Sequence, residues 1–243
     1  MTPPVGDIFG SFQGAIEFIF EPRDAIGLRG EVGGIDHVSG FLWTHVWISA
    51  LALAVAVIVA MPLGVYLGHR GRGELLAVSL GNAGRAIPEL GLIAIMVAFV
   101  GVGVTNVTIA LMILGVPPIL TNSFVGMRQV DRDAVEAARG MGMSEFEVIR
   151  RVELPLAVPT IMSGVRTAAI AIIATATIAP LATVETLGEY IINNANYGDD
   201  GLLAGAILVA LLALAAELLL AALQKALTPR GLELQRKPAG ATA

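Results

Sequence analysis

Long stretches without a charged residue recur along the chain, and their lengths predict membrane-spanning helices. The first such stretch covers residues 46–67. The next, residues 90–127, is too long for one helix, because about 20 residues suffice to cross roughly 30 Å of hydrocarbon. A glycine-rich break at residues 101–106 predicts a turn that divides this stretch into two spans.

Two later stretches, residues 154–184 and 201–224, each contain one charged residue, Arg166 and Glu217 respectively. The ten-residue alternation typical of membrane β-strands is absent. The pattern therefore predicts an all-α polytopic membrane protein. Its predicted spans are residues 46–67, 80–103, 106–127, 158–183 and 202–224.

The segments outside the spans complete the predicted domain organisation. Apolar residues recur at helical spacing between Ile8 and Phe20, which predicts an interfacial helix on the outer membrane surface. A poorly ordered tail with a chance pattern is the alternative. The predicted regions are an external N-terminal segment at 1–42, a transmembrane domain at 43–227 with a cytoplasmic loop at 128–157, and a cytoplasmic tail at 228–243.

Most lysine and arginine residues fall on one side of the predicted spans. Short cytoplasmic loops carry an excess of these residues, so this side is predicted to be the cytoplasm. The opposite segments are acidic apart from Arg23 and Arg29, which predicts an external N-terminus and a cytoplasmic C-terminus. The cytoplasmic set is Arg70, Arg72, Arg85, Arg128, Arg132, Arg139, Arg150, Arg151, Lys225, Arg230, Arg236 and Lys237.

Composition narrows the classes of function. Hydrophobic residues make up 56% of the chain and charged residues 14%, and the mean hydropathy is +0.78. There is no cysteine, and the three histidines, His37, His45 and His69, are dispersed, so neither a metal site nor a cofactor is predicted. A net charge of −5 offers no basic surface for nucleic acid. Motifs of phosphate-binding loops and hydrolases are absent, so the chain is not predicted to be an enzyme.

The loop at residues 128–157 has an internal order of its own. Acidic residues from Asp131 onward begin a short helix, where the helix dipole favours negative charge. Two glycines, of which Gly142 is the second, end that helix. Ser144 and Glu147 then match a capping box that begins another helix. The loop is therefore predicted to be a helix-turn-helix along the cytoplasmic surface.

The same loop resembles a known motif. It is similar to the EAA loop of the inner-membrane permease subunits of binding-protein-dependent ABC importers. The loop also precedes the penultimate predicted span, where that family places it. Val152 stands where the family more often has isoleucine, a conservative change. The matching residues are Glu136, Ala137 and Ala138, then Gly142 after three residues, Val152 after nine, and Leu154 and Pro155 after one more.

This resemblance implies a fold and a set of partners. It implies the five core helices of the type I importer permease fold over roughly residues 43–227. It also implies that the loop contains a coupling helix, which inserts into a groove of a separate cytoplasmic ATP-binding subunit. A second permease subunit, identical or homologous, and an external solute-binding protein are the other implied partners.

A narrower resemblance concerns the solute. Residues 80–92, 163–168, 186–191 and 203–207 resemble permeases for glycine betaine, choline, carnitine and related osmoprotectants. The implied function is import of a small polar solute by ATP-driven alternating access. A permease of the same fold for amino acids or sulfonates is one alternative. An ion-coupled secondary transporter is another, although the internal repeat common in that class is not evident.

Arg166 and Glu217 are the charges inside the fourth and fifth predicted spans, where an ionisable group is costly. Because the fourth and fifth spans run in opposite directions, the two residues have matching depth, about 12 Å from the cytoplasmic end. They are predicted to pair. The alternatives are a role in lining the solute path and snorkelling of the side chains to the interface.

Arg85 and Glu89 are one helical turn apart in sequence, beside Pro88. The spacing predicts a local surface pair worth a few tenths of a kcal/mol. A position at the inner mouth of the pore is the alternative.

Overall fold

The computed structural model describes residues 8–27 and 30–229. The predicted tail at 228–243 lies outside these residues from position 230 onward, as do residues 1–7 of the predicted N-terminal segment. The helices are α1 (Ile8–Phe20), α2 (Gly34–Arg70), α3 (Glu74–Ala86), α4 (Glu89–Val100), α5 (Val104–Arg128), α6 (Arg132–Gly140), α7 (Glu145–Val148), α8 (Leu154–Thr175), α9 (Glu189–Ile192) and α10 (Asn194–Leu227).

Helices long enough to cross a membrane account for most of the described chain. They are α2, α5, α10 and the helical run Glu145–Ala182, which contains α7 and α8. A short antiparallel ribbon of two strands, β1 (Pro22–Asp24) and β2 (Glu31–Gly33), lies between α1 and α2. The prediction of an all-α polytopic membrane protein is confirmed, with this ribbon as a small addition.

The second predicted span, residues 80–103, is not a single helix. α3 ends at Ala86 and α4 begins at Glu89, and Ile87 between them is extended, with φ −72° and ψ 120°. A residue before proline avoids the helical conformation, and Pro88 has no N–H with which to continue a helix. α4 has 12 residues and extends about 18 Å, which is short of roughly 30 Å of hydrocarbon. Two shorter helices therefore replace one predicted span.

A proline also shapes the end of α8. The helix continues as a 3-10 helix, Ala176–Ala182, that contains Pro180. Because proline has no N–H, an α-helical register would leave the carbonyl of Ala176 without a donor. The hydroxyl of Thr186 donates to that oxygen at 2.9 Å. The segment after the helix is thereby held against the helix end.

The described residues group into two compact units. Among these residues, the first comprises 8–27, 30–52, 88–112 and 170–215, and the second comprises 53–87, 113–169 and 216–229. Aromatic rings form much of the core of the first unit. The ring centroids of Phe18 and Tyr190 are 5.2 Å apart, and those of Tyr190 and Tyr197 are 5.0 Å apart, both edge-on. This is the arrangement that aromatic quadrupoles favour.

α1 packs on this aromatic core by one face. Ala15 and Phe18 are fully buried, whereas Phe12, Ile16 and Phe20, which recur every four residues, are exposed. The exposed stripe has the apolar character that an interfacial helix needs, and the interfacial position itself stays a prediction. The side chains of Ile8 and Phe9 lie outside the described part of the chain.

Arg23 anchors the ribbon within the first unit. Its guanidinium donates to Asp200 Oδ2 at 2.7 Å and to the carbonyl of Gly14 at 3.1 Å. It also lies 4.7 Å from the ring centroid of Phe18, a cation–π distance. One side chain therefore connects β1 with α1 and α10.

In the second unit, α2 and α5 pack closely at two glycines. A Cβ at Gly64 would lie 2.6 Å from the carbonyl oxygen of Leu120, and one at Gly68 would lie 2.6 Å from Cβ of Met127. Small residues spaced by four allow two helix backbones to approach in this way. The Gly-x-x-x-Gly sequence at residues 64–68 is thus a helix-packing motif.

Adding one methyl group at Gly64 tests this packing. We expect Gly64→Ala to destabilise the protein by about 1–3 kcal/mol, because backbone atoms of α5 must move. Gly40→Ala, in the same helix but with open space around the site, is the control and should stabilise by about 1 kcal/mol through helix propensity. The measurement is the thermal unfolding midpoint of the purified protein in detergent. Shifts of the same sign in both variants would contradict close packing at Gly64.

Candidate functional site

α6 is a two-faced helix. It begins after Asp131, whose side chain accepts a hydrogen bond from the backbone N–H of Asp133 at 2.9 Å. Val135 and Ala138, three residues apart, are buried, whereas Glu136 and Ala137 are exposed. The Glu-Ala-Ala motif is therefore divided, with its last alanine in the core and its first two residues on the surface.

A tight turn follows α6. The helix ends at Gly140, and Gly142 adopts φ +85°, a conformation that favours glycine. Ser144 and Glu147 then form the predicted capping box: the Ser144 hydroxyl accepts from the Glu147 N–H, and the Glu147 carboxylate accepts from the Ser144 N–H. The capping-box prediction is confirmed. Both ends of the turn are thus held by local hydrogen bonds.

Two apolar side chains project from this turn. Met141 is 72% exposed and Phe146 is 68% exposed. Large apolar side chains held this far out on a supported turn are typical of a contact surface. We call this surface the exposed turn, and it consists of Glu136, Ala137, Met141, Gly142 and Phe146.

An apolar cluster supports the exposed turn from below. Val135 and Ala138 of α6 and Val148 of α7 are buried in it, and Val152 and Leu154 of the motif pack against it. Pro155 is half-buried at the start of α8. The inner half of the motif is therefore structural. The buried members are Met127, Val130, Val135, Ala138, Val148, Ala157 and Ile161.

Between α7 and α8 the helix widens into a π-helical turn, Ile149–Glu153. The N–H of Leu154 donates to the carbonyl of Ile149, five residues back. Pro155 accounts for the change, because its ring would clash with the carbonyl of Arg151 in an α-helical register and it has no N–H to donate. π turns inside α-helices occur frequently at functional sites.

The π-helical turn places Glu153 against the end of α2. Glu153 Oε2 lies 2.6 Å from Nδ1 of His69, and the side chains are only 4% and 7% exposed. Nε2 of the same imidazole lies 3.1 Å from Oε2 of Glu145. Removing one member of a buried ion pair typically costs roughly 3–5 kcal/mol, because the other stays behind without a partner.

Glu145 extends this set of contacts to α6. Arg139 donates to both of its carboxylate oxygens, each at 3.0 Å. The hydrogen bonds to Glu145 raise the pKa of Arg139, as expected for a guanidinium that donates to a carboxylate. Side chains in contact therefore lead from Arg139 through Glu145 and His69 to Glu153. We call these four residues the polar chain.

A cleft of about 380 Å³ opens beside the polar chain. The Arg70 guanidinium lies over the ring of Tyr66 at one side of it, 5.5 Å from the centroid. Within the part of the chain that the structure describes, no three His, Cys, Asp or Glu side chains are placed to share a metal ion. The residues lining the cleft are Tyr66, His69, Arg70, Arg139, Glu145 and Ile149.

Arg166 and Glu217, the charged residues within the fourth and fifth predicted spans, lie in contact. Nε of Arg166 donates to Glu217 Oε2 at 3.1 Å, and a second guanidinium nitrogen donates to Oε1. Nη1 donates to the side chain of Gln224 at 2.9 Å, and the Gln224 amide donates to the carbonyl of Pro159 at 3.3 Å. The group therefore joins α8 to α10 in a forked arrangement. Whether it also borders a solute path stays a prediction.

Arg85 and Glu89 lie on either side of a helix break, and their pairing stays a prediction. Arg85 lies in α3 and Glu89 is the first residue of α4, so the break at Pro88 removes the regular one-turn relation between them. Glu89 is exposed, and the side chain of Arg85 lies outside the described part of the chain. The inner-mouth position stays a prediction.

Sequence reasoning missed the polar chain. His69 was grouped with two unrelated histidines, and Glu153 was the unassigned residue between Val152 and Leu154 of the motif. A signal was available, because Glu153 follows Ile149 by one helical turn and so falls on the apolar face of its helix. A charge on such a face calls for a partner.

A known family matches this chain. The profile of the family described as binding-protein-dependent transport system inner membrane component matches residues 60–230. The match includes all of the exposed turn, the polar chain and the Arg166 group. It covers well over half of the chain.

Curated relatives match along most of their length. The carnitine transport permease protein of Listeria monocytogenes is 37% identical over 196 residues, which cover 80% of this chain and 90% of the relative. The glycine betaine/carnitine/choline transport system permease protein of Bacillus subtilis is 36% identical over 78% of this chain and 88% of the relative. The osmoprotectant import permease protein of Salmonella typhimurium is 32% identical over 81% of this chain and 94% of the relative.

Solved structures show the same fold at lower identity. An inward-facing structure of the MetNI methionine ABC transporter matches with a TM-score of 0.68 and 18% identity, over 79% of this chain and 96% of that one. An amino acid ABC transporter crystallised with histidines matches with a TM-score of 0.59 and 20% identity, over 77% of this chain and 92% of that one. The helices described above therefore follow the architecture of these transporter subunits.

The contact between Arg166 and Glu217 is testable by charge exchange. We expect Arg166→Ala and Glu217→Ala each to lower the yield of folded protein, because each leaves an uncompensated charge in a membrane helix. The exchange Arg166→Glu with Glu217→Arg should recover most of that yield. The measurement is the monodisperse fraction in detergent for each variant. If the exchanged variant is no better than the single variants, the two side chains do not form the pair that maintains the fold.

Proposed function

This chain belongs to the inner membrane components of binding-protein-dependent transport systems, and on that premise we propose that it imports a small osmoprotectant such as glycine betaine, choline or carnitine. It is a multi-pass inner membrane permease subunit of an ABC importer and not an enzyme. ATP hydrolysis belongs to a separate subunit of such systems.

The curated relatives are the observation that supports this solute class. Three of them, from three organisms, are named for carnitine, for glycine betaine with carnitine and choline, and for osmoprotectants, and each aligns with most of this chain. The structural likeness to methionine and amino acid transporters is below 25% identity, so it supports the fold and not an amino acid substrate. An osmoprotectant is therefore favoured over the amino acid or sulfonate alternatives.

The exposed turn is proposed to contact the ATP-binding subunit. Two observations support this assignment: Met141 and Phe146 present apolar surface, and Gly142 and the Ser144 capping box give the turn one defined shape. A preorganised surface binds with a smaller entropic cost than a flexible loop. Glu136 and Ala137, on the outer face of α6, extend the same surface.

The remaining partners and the orientation follow from the family and from charge. Systems of this family combine permease subunits with an ATP-binding subunit and a solute-binding protein.

The excess of arginine in the segment from Arg128 to Arg151 supports a cytoplasmic position for the exposed turn, with the N-terminus outside and the C-terminus inside. Four of the basic residues used for the orientation, Arg29, Arg230, Arg236 and Lys237, lie outside the described residues.

Solute uptake tests the proposed function directly. The permease is reconstituted in proteoliposomes with its ATP-binding subunit and external binding protein, and with a second permease subunit if the transporter has two kinds. We expect uptake of labelled glycine betaine, choline or carnitine that requires internal ATP, with methionine and taurine as comparison solutes. Uptake without the ATP-binding subunit would support an ion-coupled transporter instead. Uptake of methionine or taurine alone would support the same fold with a different solute.

Alanine substitutions at two glycines test whether the shape of the exposed turn matters. Gly142→Ala forces a side chain into φ +85°, at a cost of about 1–2 kcal/mol, whereas Gly140→Ala places its Cβ in equally open space without a positive φ. We expect Gly142→Ala to weaken solute-stimulated ATP hydrolysis severalfold and Gly140→Ala to leave it near wild type. The measurement is ATPase activity of the reconstituted complex with and without loaded binding protein. Equal activities in the two variants would contradict a requirement for the defined turn.

A further inference from the structure

The polar chain contains two buried groups that the docking of an ATP-binding subunit does not require. His69 is the penultimate residue of α2, and its side chain is 7% exposed. Glu153 ends the π-helical turn, and its side chain is 4% exposed. A carboxylate and an imidazole are seldom buried this fully unless they pair, and the Oε2 to Nδ1 distance of 2.6 Å shows that they do.

The imidazole also faces a second carboxylate. Its Nδ1 meets Glu153 and its Nε2 lies 3.1 Å from Glu145. A neutral imidazole carries one N–H, so satisfying both carboxylates takes either the imidazolium or a protonated carboxyl group. A cation at the C-terminus of α2 is also favoured by the helix dipole. His69 therefore bridges two acidic residues that lie eight positions apart along the loop.

The contacts continue to the exposed turn. Arg139 lies two residues before Met141, and it donates two hydrogen bonds of 3.0 Å to Glu145. Glu145 lies directly before Phe146. Displacement of either apolar side chain would therefore move a residue of the polar chain. The polar chain reaches α2 at His69, and α2 is long enough to cross a membrane.

We propose that His69 and Glu153 are positioning residues, which transmit displacement of the exposed turn to the end of α2 and so set how much solute enters per ATP hydrolysed. This inference rests on the proposed function. A hydrogen-bonded pair suits this task because hydrogen bonds are directional, whereas apolar packing alone permits sliding. A purely structural anchor is the competing explanation, and it predicts effects on assembly without effects on the ratio of uptake to ATP hydrolysis.

An apolar replacement of the pair separates these explanations. His69→Leu combined with Glu153→Met removes both polar side chains together, and replacing both members of a buried polar pair by apolar residues often maintains stability. Two single variants each remove one of the two contacts of His69 and retain the other. In His69→Asn the amide nitrogen takes the position of Nδ1 and retains the contact to Glu153, whereas in His69→Gln it takes the position of Nε2 and retains the contact to Glu145. Glu74→Gln, an exposed residue of α3, is the control for loss of a carboxylate.

The experiment measures uptake per ATP hydrolysed in proteoliposomes that contain the complete complex, after size-exclusion chromatography has confirmed assembly. We expect the double variant to lower this ratio at least about fivefold, a typical coupling effect. His69→Asn and His69→Gln should each lower it as well, because each breaks one of the two contacts through which His69 meets the loop. Glu74→Gln should remain near wild type.

An unchanged ratio in an assembled double variant would overturn the inference. So would failure of the double variant to assemble, because that result assigns the pair a structural role. A wild-type complex without ATP-dependent uptake would overturn the proposed function itself. The two failures are therefore distinguishable.

Discussion

Backbone hydrogen bonding in an apolar environment is the constraint on which the architecture of this permease depends. Each proline in a helix leaves one carbonyl without its usual donor, and the chain resolves this differently at three places. At Pro88 the helix stops and a new one begins. At Pro180 the helix tightens into a 3-10 helix, and the hydroxyl of Thr186 donates to the carbonyl of Ala176. At Pro155 the helix widens into a π-helical turn. Each solution is specific and shapes the helix around it.

The π-helical turn determines which side chain of this segment faces α2. One additional residue per turn shifts the register of the following side chains by about 100°. Glu153 lies at the end of this turn and is buried against His69. A buried carboxylate needs a partner, and that partner belongs to α2. The π-helical turn thus brings Glu153 into contact with α2 and attaches the motif to that helix.

The surface proposed for docking and the surface that packs on the core are opposite sides of the same short segment. The outer face carries Met141 and Phe146, which are exposed, and the inner face carries Val135, Ala138 and Val148, which are buried. Gly142 and the capping box hold the outer face in one conformation. A segment built in this way suits the transfer of movement from one subunit to another, because neither face can shift without the other.

The sequence by itself determined the class of protein, most spans and the capping box at Ser144. Charge-free length, dipole preferences and capping boxes are local properties of the chain, so they can be read without the fold. The motif from Glu136 to Pro155 also identified the family, which the comparisons confirmed. Only the tertiary structure showed that Ala138 is buried while Glu136 is exposed, and that α3 and α4 are separate helices. Likewise, the partnership of His69 with Glu153 spans 84 positions of sequence. No local pattern specified that His69 is the partner of Glu153, because that choice depends on which helix ends meet in the folded protein.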